Sequence, residues 1–128
     1  MTIAPITEAG ELAWPDLLAS APLLLLYKHS PICGASAAAL TEVKSLHRAA
    51  PGVPVYQVDV IHQRDLSAAI AAHLGVGHES PQVILVCNGK AVWNTSHFRI
   101  KAATLVDEIA RVRDVCFGER RLSAPSAA

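Results

Sequence analysis

Leu23–Leu26 is a run of four leucines that Tyr27 and Lys28 extend to LLLLYK, with no alternation of apolar and polar positions. A strand wetted on one face alternates, whereas a strand covered on both faces does not. The run therefore predicts a strand in the middle of a sheet with a layer on each side. It is far short of the ~20 residues a membrane-spanning helix needs. A chain of 128 residues is one domain's length, and 52% hydrophobic against 17% charged residues supplies a single real core.

The remaining elements follow from their punctuation. Ile3 to Ala19 reads as a short extended piece and then a helix from near Trp14 to Ser20, with Pro15 tolerated in its first turn. After LLLLYK comes the loop HSPIC, containing Pro31, and then GASAAALTEVKSLHRAA. That Ala-rich stretch is predicted helical, with Leu40, Val43 and Leu46 toward the core and Pro51-Gly52 beyond its end. VPVYQVDV (Val53–Val60) is a second strand. Arg64–Leu74 is a helix with Leu66, Ala69, Ile70, His73 and Leu74 on its apolar stripe, closed by Gly75 and Gly77. Pro81 precedes the strand QVILVC, and Asn88-Gly89 signals a hairpin into a further strand, Lys90–Asn94. Leu105, Ile109, Val112 and Cys116 share one face of a last helix, Lys101–Phe117. The order, with a weak first strand, is β–α–β–α–β–α–β–β–α. It predicts an α/β, thioredoxin-like fold: a central four- to five-stranded mixed sheet flanked by helices, spanning 1–117. The tail, 118–128, has no periodicity and is expected to be disordered.

Eleven basic and 11 acidic residues cancel, and aromatics are only 5%. A nucleic-acid binder needs a basic surplus or stacking platforms, and a membrane-surface protein needs a basic face. Neither partner is expected. The three cysteines, Cys33, Cys87 and Cys116, are odd in number and widely spaced, with no C-x-x-C pair. This argues against a disulfide scaffold and against a structural zinc site. MTIAPITEAGELAWP lacks the basic and apolar regions of a signal peptide. The expected setting is the cytoplasm, with reduced thiols.

Cys33 falls where the buried strand has ended and a helix begins. Unpaired first-turn N–H groups and the helix dipole there favour a thiolate over a thiol. His29, at the strand's end, can add to that effect or move a proton. Ser36 stands three residues on, so CGAS has the shape of a C-x-x-C motif whose second cysteine is a serine. Pro81 follows Glu79-Ser80 directly before a strand. Were that bond cis, Ser80's backbone N–H and C=O would turn toward the cysteine and could pair with an extended peptide or a thiol.

KHSPIC (Lys28–Cys33), HESPQ (His78–Gln82), NGKAVW (Asn88–Trp93) and SHFRI (Ser96–Ile100) together resemble the monothiol bacilliredoxins of the YtxJ-like type. The likeness runs from about Pro5 to the last helix. It implies a thioredoxin-like fold, an active-site cysteine at Cys33 and a cis proline facing it at Pro81. The family typically continues its cysteine with Pro-Ile-Ser. This chain has Gly34-Ala35-Ser36, which keeps the serine but is closer to the CGFS of monothiol glutaredoxins.

A dithiol enzyme attacks with one cysteine and resolves with the other, which Ser36 cannot do. Cys87 lies six residues beyond Pro81 along a strand, about 20 Å away, where a disulfide to Cys33 is impossible. Cys87 and Cys116 are expected to be core residues. The chemistry left is monothiol exchange, with a low-molecular-weight thiol (bacillithiol or glutathione) as co-substrate and S-thiolated proteins as clients, by a monomer or weak dimer. Lys28, His78 and His97 are candidate contacts for substrate or thiol. A polar loop or strand-end role is the alternative for each. His73 reads as a hydrogen-bonded core histidine, and Asp59 as the cap of the following turn, with a proton acceptor as the alternative. No histidine pair sits with a cysteine at ligand spacing, so no metal is expected. Two other functions remain open: a [2Fe–2S] carrier like the monothiol glutaredoxins, and a non-catalytic peptide-binding module. The carrier reading lacks the glycine-glycine-aspartate segment that grips glutathione in those proteins.

Overall fold

The computed structural model describes residues 4–5 and 14–123. Its elements are β1 (Ala4–Pro5), α1 (Trp14–Leu18), β2 (Leu23–His29), α2 (Gly34–Ala49), β3 (Val55–Asp59), α3 (Arg64–Leu74), β4 (Gln82–Cys87), β5 (Lys90–Ser96), a 3-10 turn (His97–Arg99) and α4 (Ala102–Ser123). The sheet order is β1-β3-β2-β4-β5. β1 and β2 both run parallel to β3, while β4 is antiparallel to β2 and β5 to β4. The leucine run is thus the central strand, paired on both edges.

Alternation along β2 divides the core into two layers. Leu23, Leu25 and Tyr27 face Ala39, Val43 and Leu46 of α2 and Leu105, Ile109, Val112 and Cys116 of α4. Leu24 and Leu26 face the other way, onto Leu17 and Leu18 of α1 and Ile70 of α3. Lys28 continues this second face and is fully buried. A hydrophobic run without alternation is what such a two-sided strand requires. Asn88 and Gly89 both have positive φ, 48° and 86°, the primed turn that suits a two-residue hairpin.

Four features differ from the sequence reading. β5 continues past Asn94 because Thr95 and Ser96 still pair with Val83 and Gln82. α4 continues past Phe117 through Ser123, so the stretch from 118 to 123 is helix, not tail. Glu119, Arg120, Arg121 and Leu122 are good helix formers that carry the helix over Gly118. Residues 124–128 lie outside the described residues. His73 is exposed and packs edge-on against the Trp14 ring, with centroids 5.2 Å apart, instead of entering the core. Finally, Cys87 and Cys116 are buried as expected, yet they are not free thiols: they form a disulfide. Cys87 closes β4 and Cys116 lies on the α4 stripe facing the sheet. Packing α4 on that face brings their Cα atoms to 5.5 Å, within bridging range.

Candidate active site

β2 ends at His29, and Ser30–Cys33 lead into α2. Cys33 is the N-cap of α2, with extended backbone (φ −108°, ψ 126°), and its carbonyl accepts the N–H groups of Ser36 and Ala37. Its half-buried side chain makes no capping bond and is the free cysteine of the chain. No acidic residue stands in the first turn of α2. The first-turn amides, which have no helical acceptors, are the kind that solvate negative charge.

Ser36 is fully buried, and its Oγ accepts the Ser30 N–H at 3.1 Å. The serine at the second position of the motif is therefore a strut for the cysteine loop. Replacing it by alanine strands the buried Ser30 N–H. Ser36→Ala is expected to cost about 1–3 kcal/mol, read as a lower urea midpoint.

Tyr27 lies beneath this loop. Its hydroxyl contacts the Ser36 carbonyl at 3.0 Å and His29 Nδ1 at 2.7 Å. A carbonyl only accepts, so both contacts are satisfied when Tyr27 donates to Ser36 and His29 Nδ1–H donates to Tyr27. That tautomer leaves His29 Nε2 with a lone pair, a proton acceptor four residues from Cys33. Burial, reinforced by the charge of Cys33 and only partly opposed by the bond to Ser36, pushes the Tyr27 hydroxyl far above its ordinary range. Tyr27 thus stays protonated as a fixed donor. Tyr27 is the site residue that the sequence reading missed. Its only signal was a polar tip in an aliphatic buried strand, which requires a partner.

Burial pulls the His29 ring below the usual histidine range, and the Asp59 carboxylate opposes this from the neighbouring strand. Burial pushes the Asp59 carboxyl up. The N–H groups of His62 and Ile61 and the His62 ring more than offset this and hold it below the usual carboxylate range. Asp59 thereby caps the turn after β3.

Of the other sequence candidates, Lys28 and His78 are brought together. Lys28 Nζ lies 3.1 Å from His78 Nδ1 and donates to it. Burial lowers the Lys28 ammonium below its ordinary range. Burial and then the Lys28 charge lower His78, against Glu79. His97 instead meets Glu79, with Nε2 2.8 Å from Oε2, and its backbone N–H donates to the Pro81 carbonyl. The Ser80–Pro81 peptide is cis, and the buried Ser80 Oγ has no partner. Gln82 pairs in register with Lys28, so Pro81 opens β4 at the end of the sheet where β2 runs into the cysteine loop. Among the described residues, no group of three His, Cys, Asp or Glu side chains is placed to hold a metal ion.

His29 and His78 carry a testable pH signature. Both folded values lie below the ~6.5 of an unfolded chain, so the unfolded chain binds more protons as pH falls through that value. Their contribution to stability is complete above pH ~6.5 and is lost as pH drops through the folded values. Histidine ring resonances followed by NMR should show both residues titrating below ~6.5. His29 should move lower still in Asp59→Asn, which removes the opposing charge.

Solved structures share this architecture. A candidate oxidoreductase with a thioredoxin fold is 31% identical, covers 73% of this chain and 83% of its own, and superposes with a TM-score of 0.69. The oxidised thioredoxin of Plasmodium falciparum (12% identity, 86% and 97% covered, TM-score 0.66) and a thioredoxin mutant from Halobacterium salinarum (18%, 85% and 86%, 0.65) match in fold. With one free cysteine heading α2, the chain falls among the thiol-redox proteins of the thioredoxin fold. Over residues 9–105 it matches the family described as monothiol bacilliredoxin BrxC, and it belongs to that family.

Proposed function

We propose that this chain removes a low-molecular-weight thiol, bacillithiol or a similar thiol such as glutathione, from mixed disulfides on client proteins, acting through Cys33. The observation that carries the reading is the allocation of its sulfur. Cys33 is free at a helix start, Ser36 is committed to Ser30, and Cys87 and Cys116 are committed to each other. No partner within the chain is left to resolve a bond formed at Cys33.

The Cys33 thiolate attacks the small-thiol sulfur of the client's mixed disulfide. A disulfide forms between Cys33 and the small thiol, and the client sulfur leaves as a thiolate and takes up a proton. A second small thiol, as its thiolate, then attacks the small-thiol sulfur on Cys33. It releases the oxidised small disulfide and restores the Cys33 thiolate. The two electrons gained by the client come from the small thiol. His29 Nε2 accepts the Cys33 proton and returns one to the leaving thiolate. The Ser80 backbone pairs with the client's extended chain, and Ile32 and Phe98, both well exposed, give it apolar contact. The same reading has the protein act in the cytoplasm, as a monomer or weak dimer.

The test is mass spectrometry of the intact protein after incubation with a client carrying the small thiol, followed by peptide mapping. A single adduct of the small thiol's mass on Cys33, with reduced client appearing in equal amount, is expected. Client reduction without an adduct at Cys33, or an adduct only on Cys87 or Cys116, overturns the proposal.

A further inference from the structure

Ser80, whose backbone is proposed to meet the client, does nothing to hold itself in place. Its buried Oγ has no partner, and its backbone N–H and C=O make no hydrogen bond among the described residues. A free main-chain donor and acceptor suit strand addition best when the segment carrying them is fixed beforehand, because ordering it on binding costs affinity. One residue at the end of β5 does the fixing.

Gln82 pairs with Ser96 in the antiparallel ladder of β4 and β5, so Pro81 and His97 form the next rung. The His97 N–H donates to the Pro81 carbonyl at 2.9 Å. Proline has no N–H to return the bond. The His97 carbonyl instead accepts the Ile100 N–H, which closes the 3-10 turn. The chain leaves the ladder through a His97 φ of 57°, a left-handed conformation uncommon for a residue with a Cβ. Residues held there persist where their surroundings over-determine them, and they cluster at functional sites. The His97 ring supplies a second bond, with Nε2 2.8 Å from Glu79 Oε2. His97 therefore grips Pro81 through its main chain and Glu79 through its side chain, the two residues that flank Ser80. The turn it opens lies against α2, the helix that Cys33 heads.

We infer that His97 is a positioning residue for client binding: with Glu79 it holds Ser80 in the conformation that pairs with the client chain. The inference rests on the proposed function and assigns its client affinity to a bracket outside the cysteine loop.

The experiment uses a peptide thiolated at an internal cysteine, prepared with glutathione and with bacillithiol. Transfer of the small thiol to Cys33 is followed by intact mass over a range of peptide concentrations. Bis(2-hydroxyethyl) disulfide, which has no amide to pair with Ser80, is the comparison reagent. The variants are Glu79→Ala, His97→Gly and the two combined, with Glu79→Gln as the conservative control. His97→Gly keeps the main-chain donor and adopts positive φ freely. The His97 and Glu79 side chains are 55% and 48% exposed, so neither replacement opens the core, and circular dichroism checks each fold. Each single variant is expected to raise the half-saturating peptide concentration about threefold to fivefold, the scale of an exposed ion pair, with the limiting rate unchanged. The double variant should lose no more than either single one, because both remove the same bond. Glu79→Gln keeps an acceptor for His97 and should stay within about twofold of the wild type. The rate with bis(2-hydroxyethyl) disulfide should not change in any of them. An unchanged half-saturating concentration in Glu79→Ala and His97→Gly, or losses that add in the double variant, overturns the inference and leaves the proposed function standing. Equal slowing with the peptide and with bis(2-hydroxyethyl) disulfide also overturns it, since His97 would then support the cysteine loop and not Ser80. If wild-type Cys33 takes the small thiol from neither peptide, the proposed function fails and the inference with it.

Discussion

Cys33→Ser is expected to reduce release of the small thiol from a thiolated client to the uncatalysed rate, a loss on the order of 10³-fold or more. A hydroxyl is nearly the same size as a thiol but does not attack a disulfide at neutral pH, so the chemistry goes while the shape remains. Cys33 caps α2 through its backbone carbonyl and makes no side-chain hydrogen bond, so little of the fold depends on its sulfur. Thermal stability should accordingly stay close to that of the wild type. The pairing of these two outcomes is diagnostic, because a destabilised variant loses activity for an uninformative reason. His29→Gln, by contrast, removes a proton acceptor and leaves the nucleophile, so a smaller loss is expected, about 10²-fold at the low end for general acid–base catalysis. A Cys33→Ser protein that still dethiolates its client would move the chemistry off this cysteine. An assay with a thiolated peptide, read by the ratio of free to modified peptide, decides it.

Legibility from sequence followed the range of the interaction. LLLLYK announced a strand buried on both faces because its pattern is local, and the hairpin at Asn88-Gly89 was equally plain from two residues. Cys33 was recognisable as a helix start because Pro31 lies before it and an Ala-rich stretch after it. Ser36 was flagged by its spacing from Cys33, but its task of holding the Ser30 N–H depends on the loop's path and appears in no motif. Lys28 and His78 were each singled out, yet nothing local says that they meet, because 50 residues separate them. Register supplies the reason: antiparallel pairing sets Lys28 beside Gln82, and His78 lies four residues before it. Tyr27 was overlooked because it serves both as a core residue of β2 and as the hydroxyl that donates to the Ser36 carbonyl and accepts from His29 Nδ1–H. The helix boundary near Gly118 failed for a milder cause. A glycine costs a helix about 1 kcal/mol, which good neighbours can absorb.

The disulfide was the least legible feature and carries the second large prediction. Reducing it, or replacing both partners in Cys87→Ala Cys116→Ala, is expected to lower the melting temperature by about 10 °C. The bond joins residues 29 apart in sequence, and closing a loop of that length restricts the unfolded chain by about 3–4 kcal/mol. The fold should survive. Leu105, Ile109 and Val112 still hold α4 against Leu23, Leu25 and Val83 after the bond is gone. The loosening should therefore concentrate beyond Val112, where the bridge is the main tie to β4 and Asn88 adds a hydrogen bond to the Cys116 carbonyl. Hydrogen exchange should quicken in the last turns of α4 well before it does in β2. Exchange chemistry should persist, because Cys87 closes β4 five strand steps from Gln82, about 17 Å from the end where Cys33 sits. The measurement is calorimetry with and without reductant in a Cys33→Ser background, so that adducts at the exchange site do not interfere. Equal melting temperatures in the two conditions would show that the bridge adds nothing to stability. A drop that the double-alanine variant no longer shows on adding reductant would assign the effect to this bond.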